Sequence, residues 1–344
     1  MRYLDLFTGI GGFTYGIQQA LHHLRPNELE NSNRPEKLHD IENELQQWKC
    51  VGYSEIDKYA TQVYSKHYPE HKNYGDITKI IATELPDFDI LVGGFPCQAF
   101  SIAGKRRGFD DTRGTLFFDI ARILKEKRPR NFILENVKGL LSHDNGNTFK
   151  TIISTLAELG YCVEWQVLNS KNFGVPQNRE RVFIIGHLGG IPERKIFPIT
   201  ESSGKNLEVY TRGASQGYRV YDVDGISTTL ASQAGGVGAK TGLYMSHINR
   251  SKKEYDVKLT EKSGALTATM YKGIDASGRT GAVQNGRIRH LTPIECERLQ
   301  GFPDNWTAQG VKGAISDSQR YKMCGNAVTT NVITEIVKRL YEIK

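Results

Sequence analysis

A thiol at Cys97, a carboxyl at Glu135 and guanidiniums at Arg179 and Arg181 stand in three short stretches: Pro96-Cys97-Gln98, Glu135-Asn136-Val137 and Gln177-Asn178-Arg179-Glu180-Arg181. Each adjoins an apolar run of strand character, so one open sheet would bring all three to a common edge. A thiolate is a strong nucleophile but needs positive surroundings to form near neutral pH. A carboxyl and a guanidinium can hydrogen-bond the heteroatoms of an electron-poor ring and so open one of its carbons to attack. The set suits addition of Cys97 to a polarised heterocycle, with Glu135, Arg179 and Arg181 preparing the ring. Taken singly, each residue also has a plain reading. Cys97 could be a buried core thiol, Glu135 a helix cap or the partner of an arginine, and the two arginines a surface pair pointing the same way on a strand.

A second constellation lies at the start of the chain. Tyr3 to Phe7 reads as a strand, Phe7-Thr8-Gly9-Ile10-Gly11-Gly12 as a glycine turn, and Ile17, Ala20, Leu21 and Leu24 as one face of a helix. Such a turn lets a ligand approach the backbone. By itself it serves a nucleotide-type ligand or simple packing equally well. Cys50 to Ser54 makes a second strand with Glu55 at its end, where a carboxylate can hold ribose hydroxyls, and Asp76 after Gly75 could accept from an adenine amino group. No lysine of Walker type accompanies the turn, so phosphate binding is the poorer reading.

The elements that must position these residues alternate. Residues 25–47 are polar and read as a surface insertion with one helix around Ile41 to Trp48; Tyr59, Val63 and Tyr64 mark the next helix. Ile90 to Gly94 is a buried strand leading to Cys97, and residues 99–114 form a loop whose glycines and Lys105, Arg106, Arg107 and Arg113 suit either a mobile lid over a phosphate backbone or a solvated basic loop. A helix through Leu116, Ile120 and Leu124, a strand Phe132 to Leu134 delivering Glu135, a helix from Phe149 to Leu159, and a last strand Val182 to Ile185 complete the pattern. Strands alternating with helices predict an α/β, Rossmann-like, mostly parallel sheet with its site at the carboxyl edge.

From Ile199 to Arg289 the chain turns to Gly, Ser, Thr and isolated basic residues. Gly225, Thr228, Thr241 and Gly242 recur at a constant offset as Gly264, Thr267, Thr280 and Gly281. This echo is read either as a duplicated hairpin-like element or as chance in a biased stretch. Val328, Val332, Ile333, Ile336, Val337 and Leu340 then line a final helix. The boundaries expected are a catalytic domain over 1–198, a smaller domain over 199–289, and a C-terminal segment over 290–344 whose helix returns to the first domain.

The 344 residues carry a formal charge of +7 and a pI near 9.0, which fits a polyanionic partner without requiring one. No apolar run reaches the ~18 residues that span a bilayer, and the chain enters a strand at once, so a cytoplasmic protein is expected. The five cysteines form no CxxC pair and no Cys/His spacing for zinc, so neither a disulfide framework nor a metal is expected. Cys50, Cys162 and Cys296 read as inert core thiols; only Cys97 reads as reactive.

With these residues set out, the chain resembles the DNA (cytosine-5)-methyltransferases, in particular those of bacterial restriction-modification systems. The resemblance rests on Asp5-Leu6-Phe7-Thr8-Gly9-Ile10-Gly11-Gly12-Phe13, Gly94-Phe95-Pro96-Cys97-Gln98-Ala99-Phe100-Ser101, Glu135-Asn136-Val137, Gln177 to Arg181, Leu299-Gln300-Gly301-Phe302-Pro303 and Gly325-Asn326-Ala327-Val328. These occur in the family's order over nearly the whole chain. The resemblance implies the S-adenosylmethionine-dependent methyltransferase fold, with Phe7, Ile10, Gly12, Pro96, Leu116, Asn326 and Ala327 around the methyl donor, Glu55 on its ribose, and Asp76 and Ile77 near its adenine. Many relatives carry an aromatic residue where Ile56 stands, so apolar contact replaces stacking on that side. The implied reaction adds Cys97 to C6 of a flipped cytosine, with Glu135 on N3 and the amine, Arg181 on O2, and Arg179 supporting it.

Target reading is assigned by the same resemblance to the Gly/Thr-rich domain. Gln216, Arg219, Tyr221 and Thr229 are candidates there, with Arg219 on a base edge or a phosphate, and Thr267 stands in the second copy of the echo. Gln98, Ser101, Ala103 and Arg113, at the start of and within the lid loop, are further DNA-binding candidates; Ala103 replaces the serine that helps fill the vacated stack in some relatives. Implied partners are duplex DNA and a companion restriction endonuclease that shares the site without stable binding, the enzyme itself being a monomer without a metal. Three rival readings remain: a tRNA cytosine-5 methyltransferase, a non-catalytic DNA-binding protein, and a nicotinamide dehydrogenase, the last of which would leave Pro96-Cys97-Gln98 without a task.

Overall fold

The structure, a computed structural model, describes residues 1–31, 48–96, 116–190, 195–199, 220–222, 227–228, 243–245, 281–284, 287–289 and 291–342. The chain divides into two compact units. The first comprises Met1–Leu168, Glu180–Thr200 and Val332–Lys344, and the second comprises Asn169–Arg179 and Glu201–Asn331. The second unit therefore takes in more of the chain than the 199–289 span read from composition.

The first unit is built on a six-stranded sheet. Its strands are β1 (Arg2–Leu6), β2 (Lys49–Ser54), β3 (Ile90–Gly94), β4 (Asn131–Val137), β5 (Tyr161–Asn169) and, after a short strand β6 (Gln177–Asn178) of the second unit, β7 (Glu180–Leu188). The order across the sheet is β2-β1-β3-β4-β7-β5. β2, β1, β3 and β4 pair in parallel, as the alternation of strands and helices requires. Leu4, Leu6, Leu91, Val92, Phe132, Ile133, Leu134, Val182, Ile184 and Ile185 are fully buried, the continuous apolar run of strands covered on both faces. Each such side chain contributes about 1.5–3 kcal/mol by leaving water.

Helices cover the faces: α1 (Gly12–Asn31), α2 (Lys58–His67), α3 (Leu116–Lys127), α4 (Asn147–Glu158) and, from the chain's far end, α7 (Thr330–Glu342). α1 continues into residues that composition assigned to the polar insertion. The helix expected around Ile41 lies mostly outside the described residues. α2 starts where the Asp57 carboxylate accepts from the amides of Tyr59 and Ala60. The apolar face of α7 puts Val332, Ile333, Ile336, Val337 and Leu340 out of water, and Thr334 Oγ1 donates to the carbonyl of Gly16 in α1 at 3.1 Å.

β7 departs from the parallel expectation. It runs antiparallel to β4, with Arg181 opposite Val137 and Phe183 opposite Glu135, so β7 begins at the edge where β4 ends. Gly186 lies in this pair because a Cβ there would overlap the ring of Phe132. β5 was not foreseen. It lies at the sheet's edge, and its polar side chains bind the chain's exit: Glu164 accepts from the amides of Ile196 and Phe197 at 3.1 and 2.9 Å, and Gln166 exchanges two bonds with the backbone of Ile199.

In the second unit, α5 (Pro293–Leu299) opens with a reciprocal cap between Thr292 and Glu295, and α6 (Asp317–Asn326) follows. Glu297 is fully buried and compensated by Arg320 at 2.9 Å and by the amide and hydroxyl of Thr307. Four short strands, β8 (Val220–Asp222), β10 (Leu243–Met245), β11 (Gly281–Gln284) and β12 (Arg287–Arg289), form a sheet, while β9 (Ser227–Thr228) pairs with β6. β10 and β11, which stand at the ends of the two copies of the echo, lie side by side in parallel; the copies themselves lie mostly outside the described residues.

Candidate active site

At the carboxyl edge of the first unit, β3 ends in Gly94 and releases Phe95 and the exposed Pro96. Glu135 lies within β4 rather than beyond it. In an antiparallel pair, directly opposed residues share a face, so Glu135 shares its face with Phe183 and, two residues along, with Arg181. Arg181 Nε accordingly meets Glu135 Oε1 at 2.9 Å, both side chains largely covered. Burial draws the Arg181 guanidinium down from its ordinary value and the Glu135 carboxylate opposes that shift. The absence of a side chain at Gly94 is needed here, since a Cβ would stand 2.9 Å from Glu135 Oε2.

Asn136, the middle residue of Glu135-Asn136-Val137, has a role that residue type alone does not disclose. Its side chain is buried and its Nδ2 donates to the carbonyl of Phe95 at 2.9 Å, two residues before Cys97. The neighbouring Glu135 thus carries the acid while Asn136 holds the root of the loop. Beyond them Lys138 Nζ bridges both carboxylate oxygens of Glu180 at 2.9 and 3.0 Å.

The glycine turn is braced from two sides. Phe7, Gly9 and Gly11 have φ of 55°, 56° and 92°, and the amide of Gly11 closes on the carbonyl of Thr8 at 2.9 Å. Glu55 Oε2 accepts from the amide of Gly9 at 2.8 Å, and its Oε1 accepts from Ile56 and Asp57. Beneath the turn, Asp5 Oδ2 accepts from the hydroxyls of Thr8 and Thr14 at 2.7 and 2.8 Å. Complete burial pushes the Asp5 carboxyl up to about 7, against the pull of those two hydroxyls. A Cβ at Gly9 would meet nothing within 4 Å, so the turn faces open space. Ile56 is 75% exposed at the end of β2.

The other expected residues fall as follows. Ile10 is buried in the core, Gly12 begins α1, and Leu116 begins α3. Asp76 caps the short turn Ile77–Lys79 through Thr78, whose amide and hydroxyl hold its carboxyl below the ordinary range. The side chain of Ile77 is buried in the core, and its carbonyl accepts from Arg122 Nη2 at 3.0 Å. Asn326 is exposed and Ala327 buried. Arg179 is not the surface residue that the plain reading of the arginine pair makes it. It belongs to the second unit, is 2% exposed, and its Nη2 donates to the carbonyls of Gly325 and Ala327 at 3.1 and 2.8 Å. A break between β6 and β7 separates it from Arg181, so the two do not point the same way along one strand.

Cys97, Gln98, Ser101, Ala103, Arg113, Gln216, Arg219, Thr229 and Thr267 lie outside the described residues; Tyr221 stands in β8 opposite Tyr244. Of the other thiols, Cys50, Cys296 and Cys324 are buried, and burial pushes all three up, Cys50 to about 12. These make poor nucleophiles. Cys162, expected in the core, is partly exposed. Among the described residues no group of His, Cys, Asp and Glu could hold a metal, and no helix is long and apolar enough to cross a membrane.

An open, mostly parallel sheet with a glycine turn at β1, a carboxylate at the end of β2 and an acid–guanidinium pair at its carboxyl edge defines a methyltransferase-type site. Residues 1–342 match the family profile of C-5 cytosine-specific DNA methylases. The chain is 39% identical to the Type II methyltransferase M1.ScrFI of Lactococcus lactis subsp. cremoris, over 99% of this chain and 78% of that one. It is 34% identical to M.HhaI of Haemophilus parahaemolyticus, over 98% and 93%. In fold it is similar to the S. pombe Dnmt2 methyltransferase, with a TM-score of 0.65 at 16% identity over 99% and 98% of the two chains. The chain belongs to the C-5 cytosine-specific DNA methylase family and is a DNA methyltransferase of restriction-modification type.

Proposed function

We propose that the chain transfers a methyl group from S-adenosylmethionine to C5 of a cytosine in duplex DNA, through a covalent bond between Cys97 and C6 of a base turned out of the helix. The observation that carries this reading is the 2.9 Å pairing of Arg181 with Glu135, beside the loop root that Asn136 holds. A cytosine within a duplex hides C6 in the stack, so extrusion precedes chemistry, at a cost of a few kcal/mol.

Cys97, as thiolate, forms a bond to C6. The ring's electrons move toward N3 and O2, where Glu135, as a neutral acid or by a shared proton, and the Arg181 guanidinium supply hydrogen bonds and limit the build-up of charge. C5 becomes nucleophilic and takes the methyl group as the methyl–sulfonium bond breaks to leave a thioether; C5 then loses its proton to water, and the electrons of that C–H bond restore the ring double bond as the bond from C6 to the sulfur of Cys97 breaks. The methyl donor contributes an electrophilic carbon on a sulfonium. The residues fit it. Gly9 leaves the turn open to a bulky ligand, while Gly11 lets it pack on the rings of Tyr64 and Tyr68, and Glu55 and Asp76 are carboxylates suited to ribose and adenine. Phe7, Ile10, Gly12, Ile56, Pro96, Leu116, Asn326 and Ala327 complete the proposed donor site. Target reading falls to the second unit, through Gln216, Arg219 and neighbouring residues, and a companion endonuclease shares the sequence read. A monomer suffices for this chemistry.

Duplex DNA carrying 5-fluorocytosine at the target cannot lose a proton from C5 and should trap the enzyme. Peptide mapping is expected to find the bond at Cys97, and Cys97→Ser to give no adduct while still binding DNA. A bond at another cysteine, or turnover by Cys97→Ser, overturns the mechanism.

A further inference from the structure

The last carbonyls of an α-helix have no partner within the helix and are ordinarily met by water, a glycine turn or a basic side chain. At the end of α6 they are met by two buried side chains from distant parts of the second unit. Gln300 Nε2 donates to the carbonyl of Cys324 at 2.7 Å, and Arg179 Nη2 donates to those of Gly325 and Ala327. Gln300 is fully buried. A guanidinium there is also favoured by the helix dipole.

These two anchors are tied to each other. Thr329 Oγ1 donates to Gln300 Oε1 at 2.9 Å and lies 2.8 Å from Ser170 Oγ, while the amide of Ser170 donates to the carbonyl of Arg179 at 3.0 Å. Ser170 and Thr329 are both buried. Every residue from Met323 to Thr330 is buried except Asn326. The network therefore grips the backbone on both sides of Asn326 and leaves that one polar side chain facing outward.

We infer that Arg179 and Gln300 are positioning residues for Asn326, acting on the binding of the methyl donor rather than on the cytosine ring. The inference rests on the proposed contact of Asn326 with S-adenosylmethionine and assigns Arg179 a task different from that of Arg181. A lysine cannot present the planar fork that serves two carbonyls, so Arg179→Lys keeps the charge and loses the grip.

The test measures binding of S-adenosylhomocysteine by calorimetry and the kinetics of DNA methylation on the full chain. Arg179→Lys is expected to weaken that binding about tenfold and to raise KM for the donor in step, with a much smaller change in kcat. Added to Asn326→Ala, it should cost less than about twofold more, because both act through one contact. Thr329→Val, which removes only the hydroxyl orienting Gln300, should shift the same constants in the same direction and serves if Arg179→Lys does not fold. Unchanged affinity with lowered kcat, or losses that multiply in the double variant, would overturn the inference. If Asn326→Ala itself leaves S-adenosylhomocysteine binding intact, the donor reading of Asn326 fails first and takes the inference with it. If Asn326→Ala weakens binding and neither Arg179→Lys nor Thr329→Val does, the inference alone fails.

Discussion

Arg181 reaches Glu135 diagonally across an antiparallel strand pair, Nε to Oε1 at 2.9 Å, with 15% and 11% of their side chains exposed. Breaking such a pair from one side strands a covered charge and typically costs about 3–5 kcal/mol. Arg181→Ala should therefore lower both the urea midpoint and methylation, the latter by about 10²-fold or more. Adding Glu135→Gln should restore much of the midpoint and none of the turnover. A double variant as unstable as Arg181→Ala would show that the pair does not hold the strands as described.

Asn136 Nδ2 holds the carbonyl of Phe95, two residues before Cys97, at 2.9 Å. Asn136→Ala removes one buried bond, about 1–1.5 kcal/mol, and leaves that carbonyl without its donor. Trapping by 5-fluorocytosine DNA at saturating donor should slow by about tenfold, since orientation of the attacking group is lost. Calorimetric binding of S-adenosylhomocysteine should not change; a drop there would place Asn136 in the donor site instead.

Asp5 is an acid that folding holds protonated to about pH 7, from an ordinary value of 3.8. Its folded value is raised, so the native state binds the extra proton between those values. Stability from this group is full below about pH 4 and is lost as pH rises toward 7, at about 1.4 kcal/mol per unit. Asp5→Asn keeps an oxygen for Thr8 and Thr14 and cannot ionise. Its urea midpoint relative to the parent should climb from pH 5 to pH 8. A constant difference across that range would mean that Asp5 does not titrate there.

Ile56, exposed at the end of β2 next to Glu55, offers a small apolar surface where a flat ring could stack on a nucleobase. Ile56→Trp should tighten S-adenosylhomocysteine by about fivefold, the ~1 kcal/mol of a favourable aromatic contact. No gain, or a loss, would place the base elsewhere.

Much of the first unit was legible because its strands are buried on both faces. The runs at Tyr3, Ile90, Phe132 and Val182 could hardly be read otherwise, and the acid and arginine at their ends came with them. β5 escaped because Glu164 and Gln166 interrupt its apolar run, and their partners, the backbone at 196–199, cannot be known from residue type. The reversal of β7 was hidden for a similar reason. Direction is decided by the connection from β5 through β6, not by the apolar residues of the strand itself. Arg179 and Arg181 are two residues apart, and spacing alone puts them on one face; the break between β6 and β7 sends Arg179 to the end of α6. Asn136 was visible as a letter in a motif, but the carbonyl it holds belongs to another strand's exit.

The covering of α1 by α7 also bears on synthesis. The ribosome makes this helix after the second unit, so a nascent chain stopped before Val332 leaves the surface around Gly16 bare. The earliest strands reach full stability only once α7 has emerged to pack on their unit.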